Sequence, residues 1–366
     1  MKIFSHAELY ARNGLQFLPF NTVYQLEAER STGDLLQTDT LLLVPDYFNW
    51  LLTGEPGIER TNASTTGLLG VETEQWDEQL ASYCGVQDML PAIVEPGDTV
   101  GALLTELAAE FGATGPVKVP AVASHDTASA VVEAPLTSSN SVYISCGTWG
   151  LVGVELDSPV LGESARKSGF TSEIGIDRSV RFLKNVTGTW LLSETMRHWN
   201  ENGWNGEAFD KTLEALLPEV ELVPVPEVLI DPQADTFLAP DNMPERIVAT
   251  AVAAGGAKPE TPAQIIRLVI ESLAASFAVQ AFNAAQTGGF TPDVIHIVGG
   301  GSQGELLCQR TADYAQRPVV AGPVECTALG NVLVQQRALS AEGWDAGQMR
   351  QLVRDSSELR SYGQRN

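Results

Sequence analysis

The clearest periodic pattern in this chain lies in its last third and predicts a long core helix. Thr261 and Gln264 form a capping box around Pro262, in which each side chain can satisfy a backbone amide at the helix start. Gly288 and Gly289 end the pattern, as glycine often does after a last helical turn. Between these ends, apolar side chains recur on one face, at Ile266, Val269, Leu273, Phe277 and Ala281.

Strand-length apolar runs alternate with helical patterns elsewhere. A β-hairpin is predicted with strands at 142–145 and 151–154 around a turn at 146–150. Further helices are predicted at 40–53, 73–83, 126–132, 189–199, 305–314 and 327–339, and further strands at 117–123, 180–183, 294–298 and 319–320. The first 35 residues show no clear helix start. Strands that alternate with helices, together with hairpins, indicate an α/β architecture.

The length of 366 residues exceeds what one hydrophobic core usually serves, so two domains are expected. A polar joint from Pro135 to Asn140 is the predicted boundary. The prediction is a first domain at 1–134, a second at 141–340, and a helical tail at 341–366.

The formal net charge of -24 argues against nucleic acid or an anionic membrane surface as a partner. The four cysteines are scattered, with no spacing typical of a metal site, so no protein metal site is predicted. No run of residues reads as a membrane span or secretory signal. These features indicate a soluble protein, and we expect it in the cytoplasm. They leave its oligomeric state open.

The common kinase signature G-x-x-x-x-G-K-[ST] does not occur in the sequence. A P-loop kinase therefore lacks its usual signal. Candidate chemistry is left to turns that directly follow predicted strands.

Asp126 stands at a strand-to-helix junction. The backbone amides and dipole of a helix start favour an ionised carboxylate, which is a plausible general base for a hydroxyl that attacks phosphorus. The alternative is that Asp126 only caps the helix.

Two further turns and one polar residue are candidates for binding. Gly147 and Thr148 lie in the hairpin turn, where backbone amides and a hydroxyl can hold a phosphate, although an ordinary turn has the same composition. Gly299–Gly301 follow a strand, where glycines let a nucleotide approach the backbone, although a flexible loop would look alike. Asn185 follows another predicted strand and can bond a sugar hydroxyl or form a simple turn.

Taken together, these segments resemble the rhamnulokinases, a group within the FGGY family of carbohydrate kinases. The resemblance is carried by Ser124–Val131, Tyr143–Leu151, Gly299–Gln303 and Ala321–Glu325, with support from Phe182–Gly188 and Leu15–Thr22. It extends from about Ala11 to Leu339. It implies the actin-like, hexokinase-like ATPase fold, with ribonuclease H-like domains in two lobes and the first lobe incomplete.

The resemblance also implies roles for the matching residues. Asp126 resembles the base that accepts the proton of the primary hydroxyl of L-rhamnulose. His125, Thr127 and Asn185 are similar to sugar contacts. Nucleotide contacts are implied for Gly147, Thr148, Gly300, Gly301 and Gln303, where Gly147 and Thr148 match the phosphate turn. Mg²⁺ would arrive with ATP, held mainly by phosphates and water.

The activity implied is ATP-dependent phosphorylation of L-rhamnulose to L-rhamnulose 1-phosphate in L-rhamnose catabolism. The alternatives are a kinase of another ketose, such as L-fuculose or a xylulose, and a non-catalytic remnant that only binds sugar or nucleotide. Its partners would be small molecules, a sugar and ATP.

Two departures from the family pattern affect these expectations. Ser124 stands where a glycine commonly precedes the His-Asp pair, a change that we expect to be tolerated. The Asp-x-Gly-x-Ser type motif that cradles the transferred phosphate does not occur, and the chain starts at a point matching the interior of the family's first domain. We therefore expect the N-terminal strands of the fold to be missing, and this chain alone to have little or no kinase activity.

Overall fold

The computed structural model of the protein describes residues 4–33, 35, 39–340 and 343–363. The helices are α1 His6–Asn13, α2 Thr22–Thr32, α3 Val44–Thr53, α4 Arg60–Ala63, α5 Glu78–Cys84, α6 Thr105–Glu110, α7 Asp126–Glu133, α8 Glu163–Lys167, α9 Trp190–Asn202, α10 Leu213–Leu222, α11 Met243–Ala253, α12 Pro262–Thr287, α13 Glu305–Ala315, α14 Cys326–Leu339 and α15 Ala346–Ser356. The strands are β1 Ile58–Glu59, β2 Leu69–Gly70, β3 Gln75–Trp76, β4 Ile93–Val94, β5 Thr99–Ala102, β6 Lys118–Pro120, β7 Ser141–Cys146, β8 Trp149–Leu156, β9 Thr171–Ile174, β10 Val180–Thr187, β11 Val294–Val298, β12 Val319–Ala321 and β13 Arg360–Tyr362.

Contacts divide the chain into two compact units, each made of three segments. Unit 1 comprises Met1–Pro135, Val154–Lys184 and Glu325–Ser356. Unit 2 comprises Leu136–Gly153, Asn185–Val324 and Ser357–Asn366. The predicted tail at 341–366 contributes α15 to unit 1 and β13 to unit 2, and its residues 341, 342 and 364–366 lie outside the described residues, as do 1–3, 34 and 36–38 of the first predicted domain.

In unit 1, the helix that begins at Asp126 is the packing centre. Every residue of α7 after Asp126 is buried, and α14 and α15 both pack against it. The apolar cluster beneath it consists of Ala123, Ala128, Val132, Ile176, Leu333, Val334, Met349 and Val353. This burial fixes the direction in which α7 presents its first residue.

Short strands complete unit 1. β9 and β10 form an antiparallel hairpin in which Val180 lies opposite Ile174. β1 pairs in parallel with β4, while β2 with β3 and β5 with β6 form antiparallel pairs. Two further apolar clusters contain residues of the N-terminal helices, of strands β1 to β4 and of β9.

Unit 2 is built on a mixed sheet. Its strands β13, β12, β11, β7 and β8 lie side by side in that order. β7, β11 and β12 are parallel to one another, and β8 returns antiparallel beside β7, so that the predicted hairpin is confirmed. The carboxyl ends of β7 and β11 therefore meet at one edge of the sheet, which is where ligands bind in open α/β sheets.

The long helix α12 is the core helix of unit 2. Thr261 caps it with Gln264 as predicted, and the helix runs to Thr287. By length and composition alone α12 would suffice to cross a membrane, but most of its apolar window is buried inside the protein, as in the core helix of a globular unit.

Several boundaries differ from the sequence predictions. The helix predicted at 40–53 begins only at Val44, and the one predicted at 73–83 begins at Glu78, because Gln75 and Trp76 pair as strand β3 and Asp77 caps α5. Within the predicted helical tail, Arg360–Tyr362 form β13, antiparallel to β12. The first 35 residues contain α1 and α2, which carried no predicted start.

Glu133, the last residue of α7, gives the fold a pH dependence. Its side chain is fully buried, and among the described residues neither carboxylate oxygen has a hydrogen-bond partner. Burial raises the pKa of Glu133 from 4.5 to about 8. The folded protein therefore binds this proton more tightly than the unfolded chain does. Its contribution to stability is complete below pH 4.5 and is lost as the pH rises towards 8.

We expect the Glu133→Gln variant not to lose this contribution to its stability as the pH rises. The free energy of unfolding of the parent protein should fall by up to about 1.4 kcal/mol per pH unit more steeply than that of the variant across this window. Urea unfolding of both proteins, at about pH 5 and about pH 8, measures the difference. A stability difference that stays the same at both pH values would contradict the assignment of a neutral, buried Glu133.

Candidate active site

The carboxylate of Asp126 is the exposed end of an otherwise buried helix. Asp126 is the first residue of α7, and the residue at the N-cap position is His125, whose side chain makes no cap hydrogen bond. The Asp126 side chain is 79% exposed. Its Oδ1 accepts bonds from the backbone amide and the hydroxyl of Thr127. The carboxylate is thus anchored through one oxygen and remains accessible to a substrate.

His125 lies beside this carboxylate with a ring that is mostly covered. Its Nδ1 is 3.5 Å from Asp126 Oδ1 and, in the described part of the chain, is buried without a hydrogen-bond partner. Burial lowers the pKa of His125, the nearby Arg181 lowers it further, and Glu173 and Asp126 oppose them. The ring is therefore neutral at pH 7 and has one donor and one acceptor nitrogen, which suits contact with sugar hydroxyls.

Thr127 is more deeply placed than the sequence suggested. Its side chain is buried, and its hydroxyl donates to Asp126 Oδ1 at 3.1 Å. The residue therefore supports the Asp126 carboxylate directly, and a role in sugar contact stays a prediction.

In unit 2, the turn at Gly147 and Thr148 lies on the N-terminus of α9. The carbonyl of Gly147 accepts bonds from the amide and hydroxyl of Thr189, and the carbonyl of Thr148 accepts from the amide of Trp190. Gly147 and Thr148 themselves are exposed. The Gly147 amide donates to the carbonyl of Trp149 at 2.9 Å, so this N–H is already paired. Gly147 would instead help to bind a phosphate by leaving space, because it has no side chain.

Two further residues shape the surroundings of this turn. Trp149 is 49% exposed, because it stands at the start of β8 beside the turn. Gly188 was not singled out, yet a Cβ there would overlap the backbone of Gly147 and Trp149. Only glycine lets the β10–α9 connection approach the turn this closely.

The glycine turn after β11 lies next to the hairpin turn. Val298 of β11 pairs with Ser145 of β7, so both turns leave the same edge of the sheet. A Cβ on Gly301 would overlap the Sγ of Cys146, so Gly301 is required for packing. Gly300, by contrast, has open space where a Cβ would lie and is exposed, and Gln303 is exposed at the end of the same 3₁₀ turn.

Cys146 itself is structural. Its thiol is buried, and burial raises its pKa to about 12. It therefore fills the space between the two turns as a neutral side chain.

Asn185 lies inside a strand, which corrects the prediction that it follows one. β10 continues to Thr187, so Asn185 is a half-buried strand residue and an asparagine turn is excluded. Its role as a sugar contact stays a prediction. The structure thus groups His125, Asp126 and Thr127 in unit 1, and groups the two glycine turns at one sheet edge in unit 2.

The chain is similar to known carbohydrate kinases over both of its units. Residues 2–132 match the profile of the FGGY family of carbohydrate kinases, N-terminal domain, and residues 142–339 match the C-terminal domain of that family. The chain is 40% identical over 357 residues to a rhamnulokinase of Pectobacterium carotovorum. The aligned region covers 97% of this chain and 69% of the relative. It is 38% identical to a rhamnulokinase of Oceanobacillus iheyensis over 98% of this chain and 74% of the relative.

The chain therefore spans about two thirds to three quarters of the length of these curated relatives. Solved structures with the same fold include a ligand-bound xylulose kinase from Lactobacillus acidophilus, with a TM-score of 0.76, 18% identity, and coverage of 98% of this chain and 70% of that one. Glycerol kinase from Plasmodium falciparum with ADP has a TM-score of 0.76 at 14% identity, covering 99% and 71%. The fold is the actin-like ATPase fold of sugar kinases.

Proposed function

This chain belongs to the FGGY family of carbohydrate kinases, and we propose that within it the protein transfers the γ-phosphoryl group of ATP to the primary hydroxyl of L-rhamnulose. The exposed carboxylate of Asp126, on an otherwise buried helix, is the observation that carries the chemistry. The named relatives, which are rhamnulokinases, support the choice of sugar.

Asp126 is the proposed general base. As the sugar hydroxyl oxygen bonds to the γ-phosphorus, its proton passes to the Asp126 carboxylate, and the bond from the γ-phosphorus to the bridging oxygen breaks to release ADP. The neutral ring of His125, with Thr127 and Asn185, is proposed to orient the sugar. An oriented hydroxyl raises the rate because the reacting atoms are already in place.

The sheet edge of unit 2 is the proposed nucleotide side. Thr148 offers an exposed hydroxyl for the terminal phosphate beside Gly147. The open face of Gly300, with Gly301 packed behind it and exposed Gln303, leaves room for the nucleoside. Glycine turns after parallel strands are a common place for phosphates to meet backbone.

Mg²⁺ is proposed to accompany ATP. Among the residues that the structure describes, no group of three His, Cys, Asp or Glu side chains is arranged to hold a metal ion. We propose an ion held mainly by phosphate oxygens and water, which is how Mg²⁺ usually binds with nucleotides. It would neutralise phosphate charge during transfer. The proposed partners are small molecules in the cytoplasm, the ketose and Mg-ATP.

A panel of ketoses tests the proposed substrate. ADP release is measured with L-rhamnulose, L-fuculose, D-xylulose and no sugar. We expect kcat/KM for L-rhamnulose to exceed the others by about tenfold or more, since a site built for one set of hydroxyls rejects others strongly. A higher value for L-fuculose or D-xylulose would reassign the substrate.

Equilibrium binding of ATP and L-rhamnulose, measured in parallel, separates a kinase from a binding protein. Binding of both ligands without sugar-dependent ADP release would support the non-catalytic alternative. If neither ATP nor L-rhamnulose binds, the proposed function is wrong for this chain.

A further inference from the structure

A buried carboxylate lies beneath the loop that carries Asp126. Glu59 is the last residue of β1 and is only 1% exposed. It is also the N-cap of α4, where its side chain accepts hydrogen bonds from the backbone amides of Thr61 and Asn62 at 2.8 and 3.2 Å. Capping of this kind is an ordinary structural role for an acidic residue at a helix start.

The same carboxylate reaches a segment that is 65 residues away along the chain. Oε2 of Glu59 accepts from the backbone amide of Ser124 at 2.9 Å and from its hydroxyl at 2.8 Å. A helix cap does not require either bond. Ser124 stands two residues before Asp126, so the carboxylate fixes the backbone that leads into α7.

Thr61 adds a second connection to the same loop. Its hydroxyl donates to Glu59 Oε2 at 2.6 Å and accepts from the backbone amide of His125 at 3.3 Å. The amides of both residues that precede Asp126 are thus held, one by Glu59 directly and the other through Thr61.

Only an acceptor fits at the centre of this network. Oε2 of Glu59 receives bonds from four donors, namely the Thr61 hydroxyl, the Asn62 amide, and the Ser124 amide and hydroxyl. Burial raises the pKa of Glu59, whereas these bonds from Thr61 and Ser124 favour its ionised form. Every hydrogen-bond partner of the two carboxylate oxygens is a donor, so an amide in place of the carboxylate would set an N–H group against a donor.

We propose that Glu59 is a positioning residue for the general base, holding the Ser124–His125 backbone so that Asp126 and the His125 ring face the sugar. The inference rests on the proposed function, because a position matters only where a hydroxyl is to be deprotonated. Glu59 itself does not touch the reacting atoms.

The first test compares Glu59→Gln with the parent protein and with Asp77→Ala. Asp77 is the matched control, because it caps α5 in the same unit by accepting the amides of Gln79 and Leu80 and makes no bond to residues 124–126. We expect Glu59→Gln to lower kcat by about 10- to 100-fold, with KM for ATP changed by no more than about twofold. Asp77→Ala should lower the unfolding temperature and leave kcat of the folded protein unchanged.

A milder pair keeps the test decisive if Glu59→Gln does not fold. Thr61 is fully buried, and Thr61→Val preserves its shape while removing the hydroxyl that joins Glu59 to His125. Thr61→Ser retains that hydroxyl. We expect kcat to fall in Thr61→Val and to be restored in Thr61→Ser, a result that a merely structural role of the side-chain volume would not produce.

Hydrogen exchange gives a readout that is independent of turnover. The amides of Ser124 and His125 should exchange about tenfold or more faster in Glu59→Gln than in the parent, and be unchanged in Asp77→Ala. If the parent protein shows no sugar-dependent ADP release, the proposed function fails, and this exchange still decides whether Glu59 holds the loop. Unchanged exchange at both amides, or kcat equal to that of Asp77→Ala, would overturn the inference.

Discussion

Replacement of Asp126 by asparagine is expected to reduce sugar-dependent ADP release by about 10²- to 10⁴-fold, the usual contribution of a general base. Asparagine cannot accept the hydroxyl proton, because its amide is not basic at neutral pH. It is nearly the same size as aspartate, so the sugar and nucleotide should still bind. The loss should therefore appear in kcat, with little change in KM for ATP.

The structure indicates that this variant will fold. Asp126 is 79% exposed, and the bonds that it accepts from Thr127 need only one oxygen, which asparagine also has. A matched control is Asp345→Asn, because Asp345 is an exposed aspartate at the start of α15 that accepts the amide of Gln348. The Asp345→Asn substitution should leave kcat unchanged. Turnover by Asp126→Asn at the parent rate would show that Asp126 only stabilises the helix start.

The elements with local sequence signals could be predicted from the sequence. The capping box of Thr261 and Gln264 is complete within four residues, and the hairpin of β7 and β8 consists of two apolar runs on either side of glycines. Both predictions are confirmed, because short-range hydrogen bonds and turn geometry determine these elements before distant contacts form.

Some local signals were present but were not used. Ser5 and Glu8 form a capping box at the start of α1, in a region where no helix start was recognised. The strand predicted at 180–183 is too short. Lys184 and Asn185 interrupt its apolar run, but the backbone remains extended to Thr187. Polar residues occur within half-buried strands, so polarity alone does not end a strand.

The support of the candidate site could not be predicted. Glu59 acts on Ser124 across 65 residues, and its own neighbourhood predicts only a helix cap. The sequence therefore indicated the residue proposed for the chemistry, Asp126, and gave no sign of the residue proposed to position it. Long-range hydrogen bonds depend on the packed fold, which one sequence without relatives does not reveal.

The second large effect is expected at Gly330, where α14 crosses α7. A Cβ at this position would overlap the carbonyl oxygen of Ser129 and lie 2.7 Å from its carbonyl carbon. These are backbone atoms of a buried helix, so no side chain can rotate to make room. Gly330→Ala should therefore force α14 away from α7 and leave gaps in the apolar cluster of Val132, Leu333 and Val334.

We expect Gly330→Ala to lower the free energy of unfolding by about 1–3 kcal/mol, the usual cost of overpacking a core. The sign of this change in the free energy of unfolding is informative, because alanine in place of glycine inside an exposed helix normally stabilises a protein by about 1 kcal/mol. Gly347→Ala in α15 is the control, since its Cβ would meet only the side chain of Asp345, at 3.1 Å, and should be neutral or stabilising. Urea unfolding of the three proteins measures both effects. Displacement of α14 should also shift α7, which begins at Asp126, and so lower kcat. A Gly330→Ala protein that is more stable than the parent would show that the two helices are packed less closely than this.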